Sequence, residues 1–567
     1  MTRSRAALVA LAAAVGTLLS ACASIPTSGP IQQGPVVAAA AGDQIVRVLP
    51  RSPIAGMTPE EIVRGFQEAT ASADPEWKIA RSYLTPDAAA AWRPDAGVAV
   101  YDDSGLATST KGSVVKQEGV LAATISEDGE YTVVAPSRRT TWGYDLVQDA
   151  DGEWRIAKLP QGLVLGPGDI ARSYRSFDIY FFTRDYTTLV PAPVTIPVSP
   201  TGQATALVRQ LLAGPTPWIA PAVATAFPQG TRLALGSVPV TDGVAEVALS
   251  REVLNADDVS RQKLSGQLVW TLRQVPEVAS VRITVNGQPL PVPGAATPQP
   301  IDSWSVLDPD VLPGNAVAYG VGAKGIVSLA DGKPTSLGIT PRLTSPGVSL
   351  DSTQVAGVSQ DGRSLYVGRL APGAEAEKRY AGNDLSHPSW DRTGAVWVVD
   401  RGAGLVVLRG DKSAAVPVVL APRGFRDADI SSVAVSRDGT RMALLVRRGV
   451  LVEPWLARVE RHGEGVTVSS PVRVDNQVTE ALDLAWADAE TLVVLGTSGA
   501  TALEVVDITV GSSRSRHQTA PDASATSIAA APGPGRVDLV GDRTSTWLQS
   551  GTTWTRLEGV TDPAYPG

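Results

Sequence analysis

The feature that most constrains this chain is a strand–turn–strand unit that recurs through residues 298–567. The segment 355–362 (VAGVSQDG) leads into 364–368 (SLYVG), and 389–394 (SWDRTG) leads into 395–399 (AVWVV). The same grammar returns at 433–439 before 441–446, at 484–486 before 491–495, and at 528–531 before 536–540. Short apolar runs bounded by Gly, Asp and Pro are the pattern of strands, not helices. Glycines 362, 394 and 439 mark the turns, spaced 32 and then 45 residues apart. Propeller blades repeat at about 40–45 residues. Six starts, counting one at Asn315–Tyr319, predict an all-β propeller of roughly six blades over 298–567. A pair of packed β-sandwiches is the competing arrangement. The Ser-x-Asp-Gly turns resemble those of TolB-like propellers.

The N-terminus has a different logic. Arg3 and Arg5 form a positive start, and Ala6–Leu19 is uncharged and apolar. That run has the length of a signal sequence and is too short to span a bilayer as a helix. Leu19-Ser20-Ala21-Cys22 then follows the lipobox pattern, in which the cysteine thiol accepts a lipid. Residues 1–21 are thus expected to be a lipoprotein signal peptide and Cys22 the lipidation site; an ordinary secretory signal with an incidental cysteine is the alternative. Cys22 is the single cysteine of 567 residues, so it has no disulfide partner within the chain. Two or more acyl chains suffice for stable anchoring, which places the expected protein on the extracytoplasmic face of the cell membrane. Residues 22–50, small and interrupted by Pro and Gly, read as a flexible tether. Fully extended, it reaches on the order of 90 Å.

Two further modules lie between tether and repeats. Residues 51–173 open on Thr58-Pro59-Glu60-Glu61, a capped helix start with acids at the positive end of its dipole. Helices over 77–83 and 87–92 follow, then strands around Val98–Val100, Tyr131–Val133 and Trp154–Ile156, with turns at Asp128-Gly129 and Asp151-Gly152. Helices before an antiparallel meander make an α+β module. Its element order and the segments 83–86 (YLTP) and 152–156 (GEWRI) resemble nuclear transport factor 2-like domains. Residues 174–297 alternate strand and helix: a strand at 177–182, a helix at 204–212, a hairpin through Asp242-Gly243, a helix carrying Leu264, Leu268 and Leu272, and a strand at 281–285 ended by Asn286-Gly287. The ordered set LLAGP (211–215), FPQGT (227–231), Asp242-Gly243 and 278–285 resembles a GerMN domain. That resemblance implies an extracytoplasmic αβ interaction module. Trp218, between Pro217 and Pro221, is read either as an exposed anchor or as cover for the local core.

The chemistry-bearing residues are sparse. The formal charge is −8, or −10 once Arg3 and Arg5 leave with the signal, and no basic cluster appears. Phosphate neutralisation needs clustered cations, so nucleic acid is not an expected partner. Nucleophile-elbow, zinc-protease and phosphate-loop motifs are missing. His387, His462 and His517 sit beside polar or turn residues and read as ordinary loop or surface histidines. Asp257-Asp258 and Asp427/Asp429 lack calcium-loop spacing. No catalytic residue, cofactor or metal is expected.

Lipobox, α+β module, GerMN-like module and propeller, with Cys22-Ala23-Ser24-Ile25-Pro26 at the mature start, resemble the actinobacterial LpqB lipoprotein family along essentially the whole chain. What the resemblance implies is a non-enzymatic lipoprotein that binds the extracytoplasmic domain of the sensor histidine kinase of an Mtr-type two-component system and influences envelope and division homeostasis. A cell-wall glycan or small-ligand receptor, or a hydrolase with an unrecognised site, is the alternative.

Overall fold

The structure is a computed structural model describing residues 50–567, apart from 73–75, 136–137, 199–201, 314–315, 411–413, 423–424, 426–427, 464, 500–501 and 534–536. The signal, Cys22 and nearly all of the tether therefore lie outside the described residues.

The first module starts at the helix Pro59–Thr70. The Thr58 side chain accepts from the Glu61 amide, and the Glu61 carboxylate accepts from the Thr58 amide at 2.8 Å. This reciprocal box satisfies two amides that a helix start otherwise leaves bare. Ile62, Val63, Phe66 and Ala69 then point into the core. Short helices Lys78–Ser82 and Pro86–Ala91 follow. The spine of the sheet is the strand Val114–Ile125. Its first half pairs with Ala107–Lys111 and Arg139–Gln148, its second half with Val98–Tyr101 and Tyr131–Val133. Sharing one long strand between two sets of neighbours lays the sheet around the helix. Phe66 fills the space between, with ring centroids 5.2 Å from Trp92 and 6.4 Å from Tyr144. The helices-then-meander order is as expected; the resemblance to nuclear transport factor 2-like domains is not confirmed.

The second module holds a hairpin of Tyr174–Thr183 and Leu189–Pro197, a helix Gln203–Ala213, and strands Val244–Leu249 and Ser280–Val285 paired in parallel. Parallel neighbours need a crossover, and the helix Asp258–Leu272 supplies it. From Leu264 to Leu272 every residue of this helix is buried. It can be polar inside because its polar groups are satisfied: Gln267 accepts from the Ala226 amide and donates to the Tyr180 carbonyl, both at 2.8 Å. Asp242 and Gly243 turn the hairpin with φ of 50° and 78°, the left-handed pair a tight two-residue turn demands.

The third module is six four-stranded sheets. Five are sequential: Leu343–Ala381, Ser389–Pro417, Asp429–Arg473, Glu480–Thr519 and Ser527–Glu558, each a four-strand meander. The remaining sheet, the first blade in chain order, joins the two ends of the module, so that the five sequential sheets are the second to sixth blades: Thr561–Ala564 pairs with Tyr319–Gly322, followed by Gly325–Ser328 and Thr335–Ser336. This is the propeller expected from the repeats, closed by its last strand so that no innermost edge is left open. The uneven turn spacing has a structural cause. Gly394 and Gly439 end the turn between the first and second strands of their blades, whereas Gly362 ends the turn between the second and third. The interval of 45 is a whole blade; the interval of 32 is not.

Candidate functional site

The blade turns explain themselves chemically. Ser436 Oγ donates to Asp438 Oδ1 at 2.8 Å, the Thr440 amide donates to the same oxygen at 2.7 Å, and Gly439 takes φ of 76°. Ser359, Asp361 and Gly362 repeat this, with the hydroxyl bond at 2.5 Å. The carboxylates of these turns are engaged by local amides and hydroxyls, and that of Asp438 by Arg441 as well. Asp391 likewise receives the Trp397 indole at 2.8 Å and Arg461 at 2.7 Å. Among the described residues no His/Cys/Asp/Glu group has the geometry of a metal site.

Tryptophans tie the blades side by side. Trp390 Nε1 donates to the Gly347 carbonyl of the preceding blade at 2.9 Å, and Trp486 Nε1 donates to the Ala434 carbonyl at 3.0 Å. Inside this ring the innermost strands of all six blades line a cavity of about 90 Å³. His387, Ser432 and Asp483 face it, each three residues before the end of an inner strand, at Trp390, Val435 and Trp486. Asp562 of the closing strand meets them: His387 Nε2 lies 3.6 Å from Asp562 Oδ1, and Nδ1 lies 3.9 Å from Asp483 Oδ2. Asp483 also accepts the Ile528 amide at 2.9 Å. Burial pulls the His387 pKa down, but the close Asp562 carboxylate and the charge of Asp483 outweigh it and hold the imidazole above its usual value. Burial raises Asp483; for Asp562 burial is outweighed by His387, and its carboxyl falls below the usual range.

His387 is therefore not an ordinary loop histidine, as its sequence context suggested. It stands in the channel between two acids from other blades. The other two fit the expectation: exposed His462 lies 3.4 Å from Glu460, and His517 lies 3.0 Å from Glu504, each on one sheet. Asp257 caps its helix, accepting from the Ser260 amide at 2.8 Å. Asp429 pairs with Arg401 and Arg447, while Asp427 lies outside the described residues. His387 carried a signal in the sequence: it has the same place before its blade's turn as Ser432 before the next.

The second concentration of function-capable groups is the junction of the modules. Trp218 is half-buried, and its Nε1 donates to the Ser470 carbonyl of the fourth sheet at 2.8 Å. Arg458 donates to the Trp218 carbonyl in return and pairs with Glu460 at 2.5 Å. Trp218 packs against the core of its own module and that of the propeller at once. The exposed-anchor reading is thus corrected: Trp218 is an anchor within the chain. Tyr180 Oη donates to Glu490 at 3.1 Å, and burial with the neighbouring Glu490 carboxylate pushes Asp178 well above the usual carboxylate range. Arg473 bridges to Val133, strand to strand, joining propeller and first module. Between the first two modules lies a cavity of about 480 Å³ with Trp77, Val98, Ile125, Tyr174 and Ile196 on its walls.

These modules and their order define a multi-module protein that couples a germination-type αβ domain to a six-bladed propeller. Three family models match it: "Lipoprotein LpqB, N-terminal domain" over 52–171, "Sporulation and spore germination" over 178–291, and "Lipoprotein LpqB beta-propeller domain" over 333–566. A Thermobifida fusca relative named Lipoprotein LpqB is 31% identical, covering 98% of this chain and 99% of its own. A Mycobacterium tuberculosis relative of the same name is 31% identical over 87% of each. The chain belongs to the LpqB lipoprotein family. Among solved structures, the first GerMN domain of GerM from Bacillus subtilis is 24% identical, covering 22% of this chain and 92% of its own, with a TM-score of 0.19. None of the matching family models is that of an enzyme.

Proposed function

We propose that this chain is a lipid-anchored, extracytoplasmic, non-enzymatic lipoprotein that binds the extracytoplasmic domain of a sensor histidine kinase of the Mtr type and modulates its signalling in envelope and division homeostasis. The observation that carries the reading is full-length membership of the lipoprotein family, with all three modules in order. The site chemistry supports it. A histidine acting as general base needs a ring nitrogen free to take a nucleophile's proton, and both nitrogens of His387 face carboxylates. The described helices include none long and apolar enough to cross a membrane, which agrees with attachment through Cys22. A small-ligand receptor is the second reading, favoured by the 480 Å³ cavity, whose size and largely apolar walls suit a ligand pocket.

The test is crosslinking and pull-down from membranes of the native host. The kinase's extracytoplasmic domain should be recovered with the full chain and lost when the propeller or the germination-type module is deleted, while His462→Ala and His517→Ala change neither binding nor kinase-dependent transcription. Recovery of no kinase, or loss of signalling from one point substitution with folding and binding intact, overturns the reading.

A further inference from the structure

The ring of the propeller depends on one short element. Thr561–Ala564 reaches Tyr319–Gly322 through only two register pairs, Tyr319 with Ala564 and Val321 with Thr561, with a bulge between them. Asp562 sits in that bulge with φ of 46°, a left-handed conformation that side-chain-bearing residues seldom take. A strained residue in the closing strand is thus the one whose carboxylate meets His387, which belongs to the third blade, while Asp483 approaches the same imidazole from the fifth. One ring bridges three elements that are remote in sequence.

We propose that the closure of the propeller is a proton-operated latch in which charged His387 clamps Asp562 of the closing strand to Asp483 across the channel. With the imidazole charged, one cation serves two carboxylates. With it neutral, the two acids face an uncharged ring in a confined channel, and the repulsion between them bears on a ladder of only two register pairs. Among the described residues that line the channel, none is a lysine or arginine. Tyr565, which also lines the channel, has its phenol pushed up to about 12 by burial and stays neutral. Arg437, which reaches the backbone of two inner strands from outside the channel lining, is turned to the carbonyls of Trp486, Ala487 and Ala530. Ser432 offers Asp483 only a long contact of 3.5 Å.

The sign follows from linkage. A histidine held above its unfolded value contributes stability that is complete below about pH 6.5 and is lost as pH rises through its folded value. Alkalinisation therefore loosens the closing strand, and mild acidification fastens it.

The experiment uses the full chain. It contains three histidines, so their imidazole resonances are assigned by substituting His462 and His517 in turn. Hydrogen exchange is followed between pH 6 and 9 in peptides covering 319–322 and 561–567, corrected for intrinsic rates. His387 should titrate above 6.5, and protection of the closing strand should fall several-fold as it does so. His387→Gln should remove that pH dependence, and Asp562→Asn should lower the His387 titration point. Should His387→Gln fail to fold, Asp483→Asn in the full chain must still lower that point. Titration of His387 at or below 6.5, a closing strand equally protected across the range, or an unchanged titration point in both aspartate variants overturns the latch.

Discussion

Arg441 shows how a single residue here serves two scales. It follows the Ser436–Gly439 turn, is 1% exposed, and sits in the wall of the junction between modules. Its Nη2 pairs with Asp438 Oδ2 at 2.6 Å and donates to the Ala489 carbonyl at 2.8 Å, and its guanidinium lies 5.4 Å from the Trp486 ring. Breaking a buried pair from one side strands the other charge, at a cost of about 3–5 kcal/mol, whereas replacing both partners costs far less. Arg441→Met should therefore destabilise the full chain by about that amount in denaturant unfolding, and Arg441→Met with Asp438→Asn should recover most of it. Equal losses in the single and double variants would show that the pair is not what matters. The side-chain roles at this scale were half legible. The Ser-Arg-Asp-Gly string announces a turn, because its hydrogen bonds are local. That Arg441 is buried, and that His387 meets Asp483 and Asp562, depends on blades up to 175 positions apart.

At the scale of elements, strands were legible where one face is buried and the other wet. Ser280–Val285 alternates buried and half-buried residues, and the alternating valines and isoleucine announce it. Ala107–Lys111 is exposed throughout, so no apolar period marks it, and it was not read as a strand. Val114–Ile125, the spine of the first module, was missed as well. Lys116 and Glu118 break its apolar run on the wet face, and its later small residues carry little signal. The closing strand was also invisible as such, since a partner some 240 residues earlier leaves no local trace. Its importance is testable. Deleting 561–567 bares the edge of Tyr319–Gly322, and an exposed edge is a template for association. The deleted chain should unfold at lower temperature and sediment as oligomers. A monomer with the melting point of the intact chain would mean that the ring does not need its last strand.

Across the whole molecule, the modules are docked and not merely strung together. Trp218 is bonded to the fourth sheet of the propeller, Tyr180 to Glu490 of the fifth, and Thr195 to the Gly511 carbonyl at 3.3 Å. A propeller can close its own ring, so residues 298–567 alone should give a β-type circular dichroism spectrum. They should nevertheless melt below the full chain, having lost the cover of the second module. Trp218→Ala in the full chain should cost up to about 3 kcal/mol, the lower end of the range for removing a buried aromatic, because the ring is only half-buried, and should speed proteolysis between the modules. An isolated propeller as stable as the full chain, together with a silent Trp218→Ala, would reduce the junction to a contact without weight. The sequence by itself determined the three modules, the class of each, the recurrence of the blades and the sites of most tight turns. All of these follow from short-range causes: apolar period, helix caps, and glycine or aspartate where the backbone must turn. Only the tertiary structure decided which strand closes the ring, that Trp218 faces inward to a neighbouring module, and that His387 stands between two acids in the channel. Those outcomes are set by which buried surfaces find each other once the blades have wound into a circle, and the pattern along one strand holds no record of its neighbour across that circle.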